Sequence, residues 1–344
     1  MLDAFPVDFG FPHVHFGNML RRVGELRFMK TLAREVAPLT PSQEKLVGVG
    51  AAVRLDPDRT EAAFMARQLV QCTLPHRDPG DVPLWTRKSG DVSLAIQPGP
   101  NMKTGKLLGY PYGSLPRLLL FCITTEAVQT RSRRLELGNS LSAFMRELGL
   151  IPASAGGGKR SDAKRLRNQM ERLFSCRIGF DQDVSREDGA EGRHWLHMEV
   201  APEGEYWWDP KQPEQSTLWG SWIELGEKFF QAIISAPVPV DMRALKGLKR
   251  SPLALDLYSW ATYRVYQVNR KGTPTFIPWK GLMQQLGTEY ASVDDFVKYA
   301  KQAFRSVRTV YPNLKMVNAR GGFWLHPSLT AVASHPGKPK RIQP

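Results

Sequence analysis

Four cations, Lys298, Lys301, Arg305 and Arg308, recur at steps of three and four residues near the C-terminal end of the chain. That spacing puts them on one side of a helix, where they repel one another unless a polyanion lies against them. A second group, Lys164, Arg165, Arg167, Asn168 and Arg172, falls within residues 162–174, on the side away from Ala163, Leu166, Met170, Leu173 and Phe174. Guanidinium and ammonium groups on an outward helix face can reach phosphate oxygens, and arginine and asparagine can also pair with base edges in a major groove. The chemistry expected of both groups is binding of double-stranded DNA, not bond making.

Groupings that could catalyse are weaker. His13-Val14-His15 is similar to the histidine pair that holds metal in rolling-circle nicking enzymes. It sits in a Pro- and Gly-flanked segment, without the sheet that would present a tyrosine nucleophile. His194 and His197 lie three apart on an expected strand, so their rings face opposite sides. Gly156-Gly157-Gly158-Lys159 departs from a phosphate loop, because Ala153 and Arg160 stand where Gly and Ser or Thr are needed. Cys72, Cys122 and Cys176 form neither a CxxC pair nor an even set, which excludes a disulfide framework and fits a reducing cytosol. The expectation is a protein with no catalytic centre, no cofactor and no metal.

The whole-chain charge points the same way. The 344 residues carry 47 Lys and Arg against 33 Asp and Glu, a net charge of +14, and a pI near 9.8. Such a balance favours polyanionic partners through counterion release. Apolar runs such as Leu118 to Ile123 are far shorter than the ~20 residues of a membrane span. Met1 to Gly10 lack the pattern of a secretory signal, so a cytoplasmic location is expected.

The elements that must carry these cations recur in one order. Leu115 to Thr130 reads as a helix with Ser114 as its cap. Arg134 to Leu137 is a short strand, Ser140 to Leu148 a second helix, Asp162 to Phe174 the basic helix, and Ser175–Phe180 with His194–Val200 a hairpin. A Pro- and Trp-rich connection follows, Pro202 to Trp219, and then the order returns. Helices start at Ser251, run over Ile277–Leu286 and over Ser292–Val310, and a hairpin spans Leu314–Leu325. In the last helix Val293, Phe296, Val297, Ala300, Phe304 and Val307 are expected to face the core. Helix, helix, basic helix, hairpin is the order of a winged helix.

The expected fold class is therefore α+β, with two tandem winged-helix (helix-turn-helix) domains. The boundaries read as an N-terminal arm at 1–60, a first winged-helix domain at 61–205, a second at 206–330 and a basic flexible tail at 331–344. Met19–Val36 reads as a basic helical stretch, Glu61–Gln71 as a short helix and Val92–Ile96 as a strand.

Four blocks carry a family resemblance. They are YGSLPRLLLFCITTEAVQTRSRRLELGNSLSAFMRELGL at 112–150, LRNQMERLFSC at 166–176, YWWDPKQPEQSTLWGSWIELGEKFF at 206–230 and PVPVDMRALKGLKRSPLALDLYSWATYR at 237–264. Through them the chain resembles the RepA proteins encoded by plasmids of Gram-negative bacteria, from about Leu84 to Pro327. The resemblance implies a plasmid replication initiator that binds repeated origin sequences, helps open the duplex and recruits a host initiator or helicase. It also implies a possible homodimer. The alternatives are a transcriptional repressor with the same domains, or a metal-dependent nickase using His13 and His15.

Overall fold

Thr40-Pro41-Ser42-Gln43 is a capping box with proline in the first turn. The Gln43 N–H donates to Thr40 Oγ1 at 3.3 Å and the Thr40 N–H donates to Gln43 Oε1 at 2.8 Å, opening helix α1, Pro41–Leu55. The expected arm at 1–60 thus contains a helix that four residues of its own sequence announce.

The computed structural model describes residues 38–57, 61–90, 92–137, 145, 146, 148, 150, 162–185, 190–207, 221–287 and 289–332. The chain divides into two units, Met1–Glu44 and Lys45–Pro344. The expected helix Met19–Val36, the His13-Val14-His15 pair, Gly156–Lys159 and nearly all of the tail lie outside the described residues, as does most of the expected helix Ser140–Leu148.

After α1 come β1 (Ala62–Ala66), α2 (Arg67–Gln71), β2 (Trp85–Ser89), β3 (Val92–Gln97), α3 (Ser114–Thr130), β4 (Arg134–Glu136), α4 (Asp162–Ser175), β5 (Arg177–Ser185) and β6 (Glu191–Glu199). The chain continues through β7 (Glu203–Glu205), β8 (Trp222–Glu224), α5 (Glu227–Ser235), β9 (Pro237–Asp241), α6 (Met242–Leu248), α7 (Pro252–Lys271), β10 (Thr275–Pro278), α8 (Trp279–Leu286), α9 (Val293–Val310), β11 (Met316–Ala319) and β12 (Gly322–Leu325). Among the described residues, helices and antiparallel sheets alternate without parallel crossovers, so the class is α+β. The sheets are β1-β9, β2-β3-β5-β6, β4-β8-β7 and β10-β12-β11.

Three expected elements change on folding. The helix expected at Glu61–Gln71 is a strand followed by one helical turn or so. Ala63 and Met65 point into the core at period two, and Ala62–Ala66 pairs with Pro237–Asp241. The apolar run is too short for periodicity to decide, and the distant β9 decides it. The helix expected from Ile277 starts at Trp279, because Ile277 pairs with Phe323 in the ladder and Pro278 pairs with Gly322 before the chain turns helical. At α3 the cap is Gly113, at φ 79°, and not Ser114; that left-handed backbone suits glycine.

The two basic helices are positioned by their apolar faces. In α4, Leu166, Met170 and Leu173 are buried at helical spacing. In α9, Phe296, Ala300, Phe304 and Val307 are buried, whereas Val297 is half-buried and Val293 exposed. Both valines were expected to face the core; Val297 does, half-buried and packed against it, whereas Val293 lies at the exposed edge of the helix. Phe304 and Trp279 meet Phe323 of β12 at ring separations of 5.5 and 4.8 Å, and Trp260 of α7 approaches the same ring at 6.2 Å. Each such side chain contributes about 1.5–3 kcal/mol by burial, which pins α9 across the sheet β10-β12-β11.

The start of α9 is fixed by Ser292, whose Oγ accepts the Asp295 N–H at 3.1 Å, with Asp294 and Asp295 favourably placed at the helix N-terminus. Ser292→Ala is expected to cost about 1 kcal/mol, read as a lower midpoint in urea denaturation with an unchanged slope.

Candidate nucleic-acid interface

Helix α9 carries the clearest candidate surface. Lys298, Lys301, Arg305 and Arg308 are all exposed, on the side opposite Phe296, Ala300, Phe304 and Val307. Among the described residues, none of the four has a carboxylate within ion-pair distance; Lys298 lies 5.9 Å from the ring of Tyr299. The stripe is therefore uncompensated. Directly after it the β11–β12 hairpin turns through Gly321 at φ 74°, and Arg320 at that turn is exposed. Sequence reading located the hairpin but did not single out Arg320, although an arginine beside Gly-Gly at a hairpin turn is a readable sign of an exposed cation.

Helix α4 is different in kind. Lys164, Arg165, Arg167 and Asn168 are exposed. Arg165 pairs with Asp162 at 3.1 Å and Arg167 with Glu171 at 2.9 Å within the same helix, so part of the charge is spent locally. Arg172 turns inward. Its Nη1 reaches Asp78 at 3.2 Å and the carbonyl of Tyr110 at 3.1 Å, and its guanidinium lies 5.4 Å from the ring of Tyr112. The two sequence-expected groups are on two separate helices, one an open stripe and one largely tied up.

The hairpin after α4 is the longer one, nine residues in each strand, and β3 and β2 extend it on the β5 side. Its outer half is exposed on both faces, from Gln182 to Ser185 and from Glu191 to Trp195. Arg193 is bound to Asp181 across the strands. His194 and His197 lie on β6, opposite Gln182 and Gly179. Among the described residues no three His, Cys, Asp or Glu side chains form a group that could hold a metal ion.

Behind α9 lies a buried charged network that the sequence did not announce. Arg117 of α3 forms a two-bond pair with Asp256 of α7, at 2.7 and 2.8 Å, and donates to the carbonyls of Leu74, Pro75 and Gly113. Arg87 of β2 donates to Thr73 Oγ1 and to Glu289 Oε1, both at 2.6 Å. His76 joins the two pairs: its backbone N–H donates to Glu289 at 3.1 Å, and its Nε2 lies 2.7 Å from Asp256 Oδ2. Glu289 stands in the loop that leads into α9.

Two arginines and two carboxylates already balance, so a charged imidazole would leave a buried excess of one. Burial holds the His76 pKa below its ordinary value, with Asp256 opposing and Arg117 adding to the effect. The neutral ring donates from Nε2. Burial alone would raise the Asp256 carboxyl, but Arg117 and the His76 N–H hold it well below the usual carboxylate range. The thiols of Cys72 and Cys176 are free and buried, and burial pushes each up to about 12, far from a nucleophilic thiolate at neutral pH.

The sequence pattern of the family described as "Plasmid encoded RepA protein" matches residues 110–280. The chain belongs to the plasmid-encoded RepA family. With membership comes the replication-initiator role, a DNA-binding one. The RepA match covers α3, α4, the β5–β6 hairpin and α7, and with them Arg117 and Asp256; α9 and the β11–β12 hairpin lie beyond it. No curated protein matches the chain. A structure titled "Crystal structure of SeMet derivatives of domain2 and domain 3 of RctB" superposes on 73% of this chain and 93% of that chain, at 11% identity and a TM-score of 0.41. That likeness is too loose to define the RepA fold further. Among the described residues, no helix is long and apolar enough to cross a membrane.

Proposed function

We propose that this RepA-family protein initiates plasmid replication by binding repeated origin sequences with two winged-helix units, α9 lying in one major groove and α4 engaging neighbouring backbone or a second groove. It acts by binding alone, without catalysis or cofactor, helping to open the duplex and engaging a host initiator or helicase. The observation that carries this reading is the uncompensated stripe of Lys298, Lys301, Arg305 and Arg308 on the helix that immediately precedes a hairpin.

The element order supports it. Helix α7, strand β10, helices α8 and α9, and the β11–β12 hairpin follow one another, and β12 lies between β10 and β11 in the sheet. A winged helix places its third helix outward in this way, where it meets base edges, while the hairpin reaches the adjoining backbone. In the earlier part of the chain α3, β4, α4 and the β5–β6 hairpin also follow one another, with β3 and β2 beside the hairpin and β4 in a separate sheet with β8 and β7.

Arg305→Ala tests the reading at one residue. If Arg305 reads a guanine, the loss is about 1–3 kcal/mol on the cognate duplex and specificity relaxes at one position. An equal loss on every sequence marks a phosphate contact. Unchanged binding on all duplexes removes Arg305 from the interface. Competition binding against a panel of single-base variants distinguishes the three.

A further inference from the structure

A cleft of about 750 Å³ opens where α4, α3 and the start of α7 meet. Lys249 and Arg250, in the turn between α6 and α7, line one side, and Arg165 and Asn168 of α4 line the other. Two helices begin on it, α3 at Ser114 and α7 at Pro252. The positive ends of helices attract anions, and α3 begins at Gly113 with no side chain capping it.

The cation cluster argues independently of the helix ends. Lys249 is half-buried. Burial and the neighbouring Arg250 hold its ammonium below the ordinary lysine value, with Asp162 opposing and Lys45 and Lys246 adding charge of the same sign. One carboxylate, Asp162, lines the cleft, and it is bonded to Arg165 at 3.1 Å; Lys246 pairs with Glu61 at 3.3 Å. An ammonium half-withdrawn from water among like charges is costly. A phosphate oxygen in the cleft would relieve that cost, and Arg165 and Asn168 are residues of the DNA-facing side proposed for α4.

We infer that this cleft seats a phosphodiester of duplex DNA, held by Lys249 and Arg250, so that the backbone engaged by α4 runs on to the start of α7. The inference rests on the proposed DNA-binding role and extends it to two residues outside both basic helices. The contact is to the backbone, so it contributes equally on every sequence.

The test uses the full chain, with fluorescence anisotropy on the duplex flanking its own gene and on an unrelated duplex, across 50 to 200 mM salt. For K249Q/R250Q the slope of log K against log salt should become shallower by about two on both duplexes, while the charge-keeping pair K249R/R250K holds the wild-type slope. An unchanged slope in K249Q/R250Q overturns the inference, as does an equal loss in K249R/R250K, which would mark damage to the fold. ATP raising the melting temperature of the wild type when duplex does not would place a free nucleotide in the cleft and overturn it too. Wild-type protein that binds no duplex at all would sink the DNA-binding reading itself, whereas wild-type binding with an unchanged slope in K249Q/R250Q sinks the cleft alone.

Discussion

Asp256→Ala is expected to destabilise the protein by about 3–5 kcal/mol, the cost of stranding a buried charge by removing its partner. Arg117 would keep its backbone carbonyl acceptors but lose both bonds to the carboxylate, and His76 would lose the acceptor for Nε2. Urea denaturation at neutral pH reads the loss as a fall in midpoint. A change of less than about 1 kcal/mol would mean that the network adds little beyond the packing around it.

The same network sets the direction of the pH dependence. Asp256 titrates lower in the fold than its unfolded value near 3.9. Its contribution is therefore present above that value and is lost as the pH falls through the folded pKa. His76 is also lowered in the fold. The unfolded chain takes up a proton on this imidazole below about pH 6.5 before the folded chain does, so this contribution too declines on acidification. Stability should fall from pH 7 toward pH 5, and Asp256→Ala, which frees His76 from its buried carboxylate, should change that acid limb along with the overall stability.

Removing the four charges of α9 together, in K298A/K301A/R305A/R308A, should give the largest effect on binding. For roughly six to ten neutralised phosphates, wild-type affinity falls on the order of a thousand- to a hundred-thousand-fold between 50 and 200 mM salt. Four contacts fewer make the salt slope shallower by about three to four, so the loss over the same range shrinks on the order of a hundredfold. The four side chains are exposed and lack carboxylate partners among the described residues, so the variant should unfold at close to the wild-type urea midpoint. A salt slope identical to that of the wild type would remove α9 from the interface.

Much of this was legible in the sequence because the signals were local. The 3.6-residue spacing of Phe296, Ala300, Phe304 and Val307 placed α9 over Ser292–Val310, and the hairpin expected over Leu314–Leu325 lies within two residues of its strands. The cations followed, since the side opposite a buried stripe is outward. What was not legible depended on distant partners. The A-A-F-M-A run became a strand because Pro237–Asp241 pairs with it. Arg172 has the sequence position of a DNA contact, yet Asp78, 94 residues away, draws it inward. The His76, Arg87, Arg117, Asp256 and Glu289 network joins residues up to 213 positions apart, and nothing in the spacing of single His, Arg, Asp and Glu residues announces such a meeting. The Thr40–Gln43 capping box is the opposite case, a local signal present in the sequence whose helix the pattern of apolar residues alone did not reveal.

The most direct test of the central claim is footprinting of the purified full chain on the DNA flanking its own gene, with wild type and K298A/K301A/R305A/R308A side by side. Protection of direct repeats spaced by about one or two helical turns, lost in the four-charge variant, is the expected result. Protection of a single inverted repeat at the promoter, or no sequence-selective protection by the wild type, would contradict an initiator that reads origin repeats through α9.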